Sequence, residues 1–465
     1  MNLRKYAAAT DSNSPLERGE ALRLSALKGV ACRLEATRWH LERHLPSFVD
    51  SVREVVLVAS SSRGGSSMLA ELLGRSSAFW HFPGEINPFL RLTGLAWPDS
   101  GTSDRLVPEI CTGEAMHALL DHLALEGGRP TGANEGHLAV TEFDADLYRR
   151  LSLQWPLEEF TFEEVSAARA IALSEGQRIC NRPCDWSTDL HLFHALFLRR
   201  IRLNRPAVNP YYYDLDRTLV RTLYPDLGIP TGPPSRVIVE EPPFILVRPR
   251  VLWQAANLGS RPILIKAPSN AYRLGFLRSL FPAARFRILH LTRNPAASIN
   301  GMYDGWHHWG FHSHYIGADL EIPGYSEEIS ADRGWWKFDL PPGWENYRQV
   351  PIEQICAFQW SEAHRAILEF VQRNDVDYRR VRFEEFCNGA ASRLKVFREL
   401  SAWLGISEHN LLKTLSLPLP LVMATKDPRP GRWRDNAKIL GRVINDAAIR
   451  SLATTLGYKD KSQWL

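Results

Sequence analysis

Cysteine is scarce. Six in 465 residues are too few and too scattered for a disulfide framework. Cys180 and Cys184 stand four apart, but no second pair at zinc-binding spacing accompanies them, so they read as free thiols. No apolar run approaches the ~20 residues that a membrane-spanning helix needs. The opening stretch, MNLRKYAAATDSNSPLERGEALRL, follows its basic residues with a short alanine run only, which is not the apolar core of a secretory leader. These absences lead to the expectation of a cytoplasmic protein with no membrane span. Neither sign of charge dominates, since 56 Lys and Arg against 52 Asp and Glu leave a net +4. That surplus is too small for a nucleic-acid-binding surface, yet it suits a small anion wherever the charges converge.

What is present is the composition of a globular chain, 45% hydrophobic and 23% charged. Residues 1–50 read as an N-terminal helical extension, and 51–465 as one domain with insertions at about 100–250 and 303–350. Glu54–Ala59 (EVVLVA) is the β-branched run of a strand buried on both faces of a parallel sheet. A glycine- and serine-rich loop follows, and then SSMLAELL has helical character. Further strands are predicted at Pro262–Lys266, Phe286–Leu291 and ending at Val381–Phe383, with helices near Tyr272–Leu280, from Pro295, over 352–371, and ending at Gly405. Strands alternating with helices predict an α/β fold: a three-layer sandwich around a central parallel sheet.

The loop reads Ser60-Ser61-Ser62-Arg63-Gly64-Gly65-Ser66-Ser67. Backbone N–H groups at a helix start make an anion site. Gly64 and Gly65 permit close approach of a phosphate, Ser66 and Ser67 add hydroxyl donors, and Arg63 adds a permanent charge with a planar fork. A nucleotide triphosphate loop of the G-x-x-x-x-G-K-[ST] kind is excluded, because no Gly stands at the required spacing and no Lys follows Gly65. Taken alone, the turn is equally an ordinary structural connection.

Five segments in order carry a resemblance. VASSSRGGSSML is similar to the 5′-phosphosulfate loop of sulfotransferases, and PILIKAPSNAYRLGFLRSLFPAARFRILHLTRNP to their strand, Lys-x-Pro, helix and Arg-Asn-Pro succession. RFRILHLTRNPAASINGMYDGW resembles the 3′-phosphate segment, VRFEEFCNGAASRLKVFRELSAWLGI a later strand and helix, and GRWRDN the element that closes over the donor. The resemblance implies a P-loop NTPase-like strand-loop-helix, a 3′-phosphoadenosine 5′-phosphosulfate (PAPS) co-substrate, no metal, and a small-molecule or carbohydrate acceptor. It implies that Arg63 and Gly64, Gly65, Ser66 and Ser67 hold the 5′-phosphate, and that Arg293 and Lys426 serve the 3′-phosphate. Phe383 then lies near the adenine, with Gly431, Arg432 and Trp433 in the closing element. Where the family has a serine for the 3′-phosphate this chain has Gly301, and Ser298 or Asn300 is the substitute. Met68 stands in place of an adenine-stacking Trp.

The histidine that serves as base in the cytosolic branch is absent, because Ala267 and Pro268 follow Lys266. Lys-x-Pro resembles instead the branch with a glutamate base, and HFPGEINPFLR offers Glu85 in a Gly-Glu pair. Partial burial tunes such a carboxylate toward neutral pH. Glu85 is accordingly the expected base, with Lys266 orienting the transferred group. His81 is the rival base, and a loop glutamate paired with Arg91 is the plain structural alternative. The stretch GMYDGWHHWGFHSHY reads as an acceptor-binding lid, as ordinary packing, or as a metal site. A phosphoryl transferase and a non-catalytic adenosine-phosphate-binding protein are the competing functions.

Overall fold

A computed structural model describes residues 15–41, 48–110, 113–130, 140–254, 256–317, 320–326, 334–416, 419–461 and 464. The strands are β1 (Glu54–Ala59), β2 (Trp80–His81), β3 (Gly128–Pro130), β4 (Arg250–Leu252), β5 (Ile263–Lys266), β6 (Arg285–Thr292), β7 (His312–Tyr315), β8 (Trp335–Lys337) and β9 (Asp377–Arg382). Seven form one sheet in the order β4-β3-β2-β5-β1-β6-β9, and β7 pairs with β8 separately. From β2 to β9 the sheet is parallel, but β3 runs antiparallel to both β2 and β4. The expected all-parallel sheet is therefore corrected to a mixed one. The physical reason is connection length. The chain reaches β3 and β4 through the long 82–250 stretch, and both enter as three-residue strands, β4 at the sheet edge and β3 between it and β2, in antiparallel pairings that need no right-handed crossover.

Alternation along β1 explains the layers. Val55, Leu57 and Ala59 point into a core with Val30 and Leu34 of the helix Pro15–Ala36, Leu119 and Leu123, and Ile367. Val56 and Val58 point the other way, against Leu69, Leu72 and Leu73 of the helix Ser66–Gly74 and against Val396, Phe397 and Leu400. Both faces are covered, as a continuous β-branched strand requires. The 140–250 region builds a core of its own around Phe143, Trp155, Phe193 and Phe244. Buried ion pairs dock this region on the sheet edge, with Arg150 between Glu126 and Glu240 and Arg250 on Asp146 at 2.7 Å.

At this edge the turn into β3 is very tight. A Cβ on Gly127 would sit 1.8 Å from the ring of Trp253, which is itself buried and donates its indole N–H to Ala124 O at 2.7 Å. Gly127→Ala is expected to cost about 1–3 kcal/mol through overpacking, read as a lowered denaturant midpoint.

The 303–350 stretch packs rather than projects. Trp306 and Trp336 are fully buried, and Trp344 nearly so, in a core shared with the helix Ile352–Arg373, and Trp335 is buried beside them in β8. Of the five tryptophans in this stretch Trp309 is the half-exposed one. Phe383, expected at a strand end, opens the helix Phe383–Cys387 instead. The side chain of Glu385 accepts the Arg382 N–H at 3.2 Å and stops the strand there.

Candidate functional site

Parallel register sets the site. Val58 of β1 pairs with Lys266 of β5, Ala59 with His290 of β6, and Thr292 with Arg382 of β9. The carboxyl ends of four adjacent strands thus deliver Lys266, the Ser60–Gly65 loop, Arg293 and Phe383 to one edge. In open α/β sheets ligands bind in that crevice.

The loop is held from behind. Ser62 Oγ donates to Asp339 at 2.5 Å, and Tyr272 OH donates to the other oxygen at 2.7 Å. Burial pushes the Asp339 carboxyl up to about 6 despite these two donors. Gly64 N–H donates to Ser61 O at 3.1 Å, closing the turn. Gly65 then enters the helix Ser66–Gly74 at φ +95°, with no side-chain cap. A Cβ there would meet Phe383 Cδ2 at 2.2 Å, so position 65 needs glycine for both its angle and its neighbour.

Three guanidiniums converge on the loop. Arg63 donates to Met423 O at 2.7 Å and lies over the Phe311 ring at 5.0 Å. Arg293 donates to Arg63 O at 3.2 Å and lies over Phe383 at 4.4 Å. Burial, and then the charges of Arg293 and Arg432, push Arg63 down to about 10. Arg293 is lowered chiefly by burial as well. Mutual repulsion among buried cations is an arrangement that a bound anion relieves.

Lys426 and Arg432 reach the same edge but share a carboxylate. They contact Asp304 at 2.7 and 3.0 Å, and Asn300 donates to Asp304 at 3.1 Å. Asp304 carries no motif that marks it, beyond standing one helical turn after Asn300. Ser298 lies buried on the same helix, Pro295–Trp306. Gly431 turns the chain at φ +66° into a short 3-10 segment, Arg432–Asn436, where Trp433 is stacked by Arg434 at 5.0 Å. Gly301 has a steric reason: a Cβ there would sit 3.1 Å from Arg63 Cβ. Gly301→Ser is therefore expected to crowd Arg63 and, where adenosine 3′,5′-bisphosphate is the ligand as proposed below, to weaken its binding in calorimetry.

On the opposite flank Lys266 Nζ meets Glu85 Oε1 at 2.5 Å. Asn87 donates to Glu85 Oε2 at 3.0 Å and is itself fixed by Ser269 at 3.2 Å and by Arg273 at 2.6 Å. Arg273 is anchored by Asp104 at 2.6 Å. Burial raises the Glu85 pKa above its ordinary value, Lys266 opposes that, and Glu241 adds to it. Arg91 pairs with Glu241, not with Glu85. His81 sits against Gly74 at the far end of the loop's helix, its Nδ1 on Phe82 O at 3.0 Å. Burial depresses its pKa.

The chain's own polar atoms test the fit of a bisphosphate nucleotide. Among the described residues, Ser60 Oγ, Ser61 Oγ, Arg63 Nε, Ser298 Oγ, Thr425 Oγ1 and Trp433 Nε1 are buried without a hydrogen-bond partner. Buried polar groups are normally satisfied. Their occurrence in the loop, in the helix after Arg293 and in the 423–433 segment that crosses Arg63 fits a polar ligand shared by the three. Among the described residues no group of three His, Cys, Asp or Glu side chains is placed to hold a metal ion. No helix of the described residues is long and apolar enough to cross a membrane.

No protein-family model and no curated protein sequence matches the chain. Two solved structures are similar to it. One is the sulfotransferase domain of the olefin synthase from Synechococcus PCC 7002, at 14% identity and a TM-score of 0.33, covering 88% of this chain and 95% of that one. The other is a sulfotransferase from Mycobacterium tuberculosis H37Rv, at 12% identity and a TM-score of 0.32, covering 86% and 80%. At that distance neither structure bears on the reaction or on the residues that carry it.

Proposed function

We propose that the chain transfers a sulfuryl group from PAPS to a hydroxyl, or an amine, of a small-molecule or carbohydrate acceptor. The observation that carries the proposal is the pairing of two features across one sheet edge: Arg63 and Arg293 beside the loop, and the half-buried Glu85–Lys266 pair one strand away. Anion recognition and a tuned base are the two requirements of this displacement.

The loop N–H groups, Arg63, Ser66 and Ser67 would hold the 5′-phosphate end. Arg293 and Ser298 would hold the 3′-phosphate, with Lys426, Arg432 and Trp433 in the segment that closes above, and Phe383 bordering the base. The donor would supply the sulfuryl group, its bond to the 5′-phosphate oxygen breaking as the acceptor oxygen bonds sulfur. Glu85 takes the acceptor's proton. Both of its oxygens already accept a bond, but each keeps a second lone pair, so proton abstraction does not require Lys266 or Asn87 to leave. Lys266 keeps Glu85 ionised against burial, and the Asn87–Arg273–Asp104 series fixes its direction. Arg63 offsets the charge that develops on the leaving phosphate.

Nucleotide selectivity tests the reading. Adenosine 3′,5′-bisphosphate is expected to bind at least about ten-fold more tightly than adenosine 5′-monophosphate, since one charge-assisted phosphate contact is at stake. Equal binding of the two, or a preference for magnesium ATP, would return the phosphoryl-transferase reading.

A further inference from the structure

Next to the Met423–Thr425 segment lies a small, solvent-open cleft of about 30 Å³. Tyr211, Leu215, Arg217, Val220, Pro243 and Trp309 line it, and it shares Asp214, His308 and Ala424 with the walls around Arg63. We propose that this cleft binds the acceptor by a carboxylate paired with Arg217, the rest of the acceptor lying against the half-exposed Pro243 and Trp309. The assignment to an acceptor rests on the sulfuryl-transfer reading.

Arg217 is held in place without being neutralised. Its guanidinium lies over Trp309 at 5.0 Å and donates to Ala424 O at 3.0 Å, with His308 Nε2 at 3.1 Å. Among the described residues no carboxylate stands within ion-pair distance of it. The neighbouring Asp214 is already committed, both its oxygens accepting the Met423 N–H at 3.0 Å. Burial, followed by Arg217, Lys337 and Arg63, pushes His308 down to about 2, so the histidine is neutral. A half-buried guanidinium fork with no ion-pair partner is the donor set for a planar carboxylate. A phosphate is the poorer match, because the lining holds no second cation for its further charge.

The chain behind the cleft also runs on toward the base. Pro243 follows Glu241 by two residues, and Glu241 acts on Glu85. Residues 241–243 run beside 310–313, with Phe311 N–H on Pro242 O at 2.5 Å and Ser313 Oγ on Glu241 at 2.9 Å. The chain that forms the cleft wall at Pro243 thus runs on from Glu241, whose charge acts on Glu85.

The test uses three small carboxylates as probes, 4-hydroxybenzoate, benzoate and 3-phenylpropionate, each against its neutral amide. Binding to the full chain is measured by calorimetry with and without adenosine 3′,5′-bisphosphate. At least one carboxylate is expected to bind about ten-fold more tightly than its amide, Arg217→Gln to erase that preference, and Arg217→Lys to keep part of it. If no carboxylate outbinds its amide, or if Arg217→Gln leaves the preference intact, the proposal falls. Failure of the donor reading looks different: the carboxylate preference would persist while adenosine 3′,5′-bisphosphate failed to bind.

Discussion

Glu85→Gln is expected to reduce kcat by about 10²–10⁴-fold, the range for loss of a general base, while leaving adenosine 3′,5′-bisphosphate affinity unchanged. Glutamine keeps the length of the side chain and can still accept the Lys266 bond through its one oxygen, but its amide N–H₂ opposes the Asn87 donor and it cannot take a proton. The pH profile adds an independent check. Because burial raises the Glu85 pKa, kcat/KM is expected to fall as pH drops through that raised value, where the base becomes protonated. Lys266 works in the opposite direction by favouring the ionised form. Lys266→Met should therefore move the acid limb to higher pH, which a purely structural lysine would not do. An acid limb that stays in place in Lys266→Met would separate the pair functionally, despite its 2.5 Å contact.

Arg293→Ala is expected to weaken adenosine 3′,5′-bisphosphate binding on the order of 10²-fold, the scale for truncating a desolvated charge partner. Its effect on adenosine 5′-monophosphate should be much smaller, because the lost charge serves the 3′-phosphate. Arg293 also supports Arg63 O at 3.2 Å and covers Phe383. Arg293→Lys is the control for that scaffolding: it keeps the charge but loses the planar fork, and should recover part of the bisphosphate preference. Equal losses for both nucleotides in Arg293→Ala would assign Arg293 to the loop's structure and not to the 3′-phosphate.

The inner strands were legible because burial on both faces leaves a continuous apolar signal, as in EVVLVA and FRILHL. Helix Ile352–Arg373 was legible from its apolar stripe, and Gly405 ends its helix at φ +69° as its position predicts. β2, β3 and β4 were not, since strands of two or three residues that include Gly128 and Pro130 have no period to detect. The loop and Arg293 could be picked out from local pattern. The Glu85–Lys266 contact could not, since 181 residues separate its partners and parallel register alone joins them. Asp304 and Asp339 left no trace in sequence, since a carboxylate that braces Lys426, Arg432 or Ser62 looks like any other acidic residue until the chain is folded. The tryptophan-rich stretch was ambiguous between lid and packing for a physical reason: indoles suit either a buried core or a ligand wall. Most of them entered the core.

The most direct measurement is transfer of radiolabelled sulfur from PAPS into metabolite and glycan acceptors by the full chain. The account predicts a labelled acceptor that gains one sulfuryl group, stoichiometric release of adenosine 3′,5′-bisphosphate, and neither product with Glu85→Gln. Tight PAPS binding with no label transferred to any acceptor would contradict it, and would leave the chain as an adenosine-phosphate-binding protein.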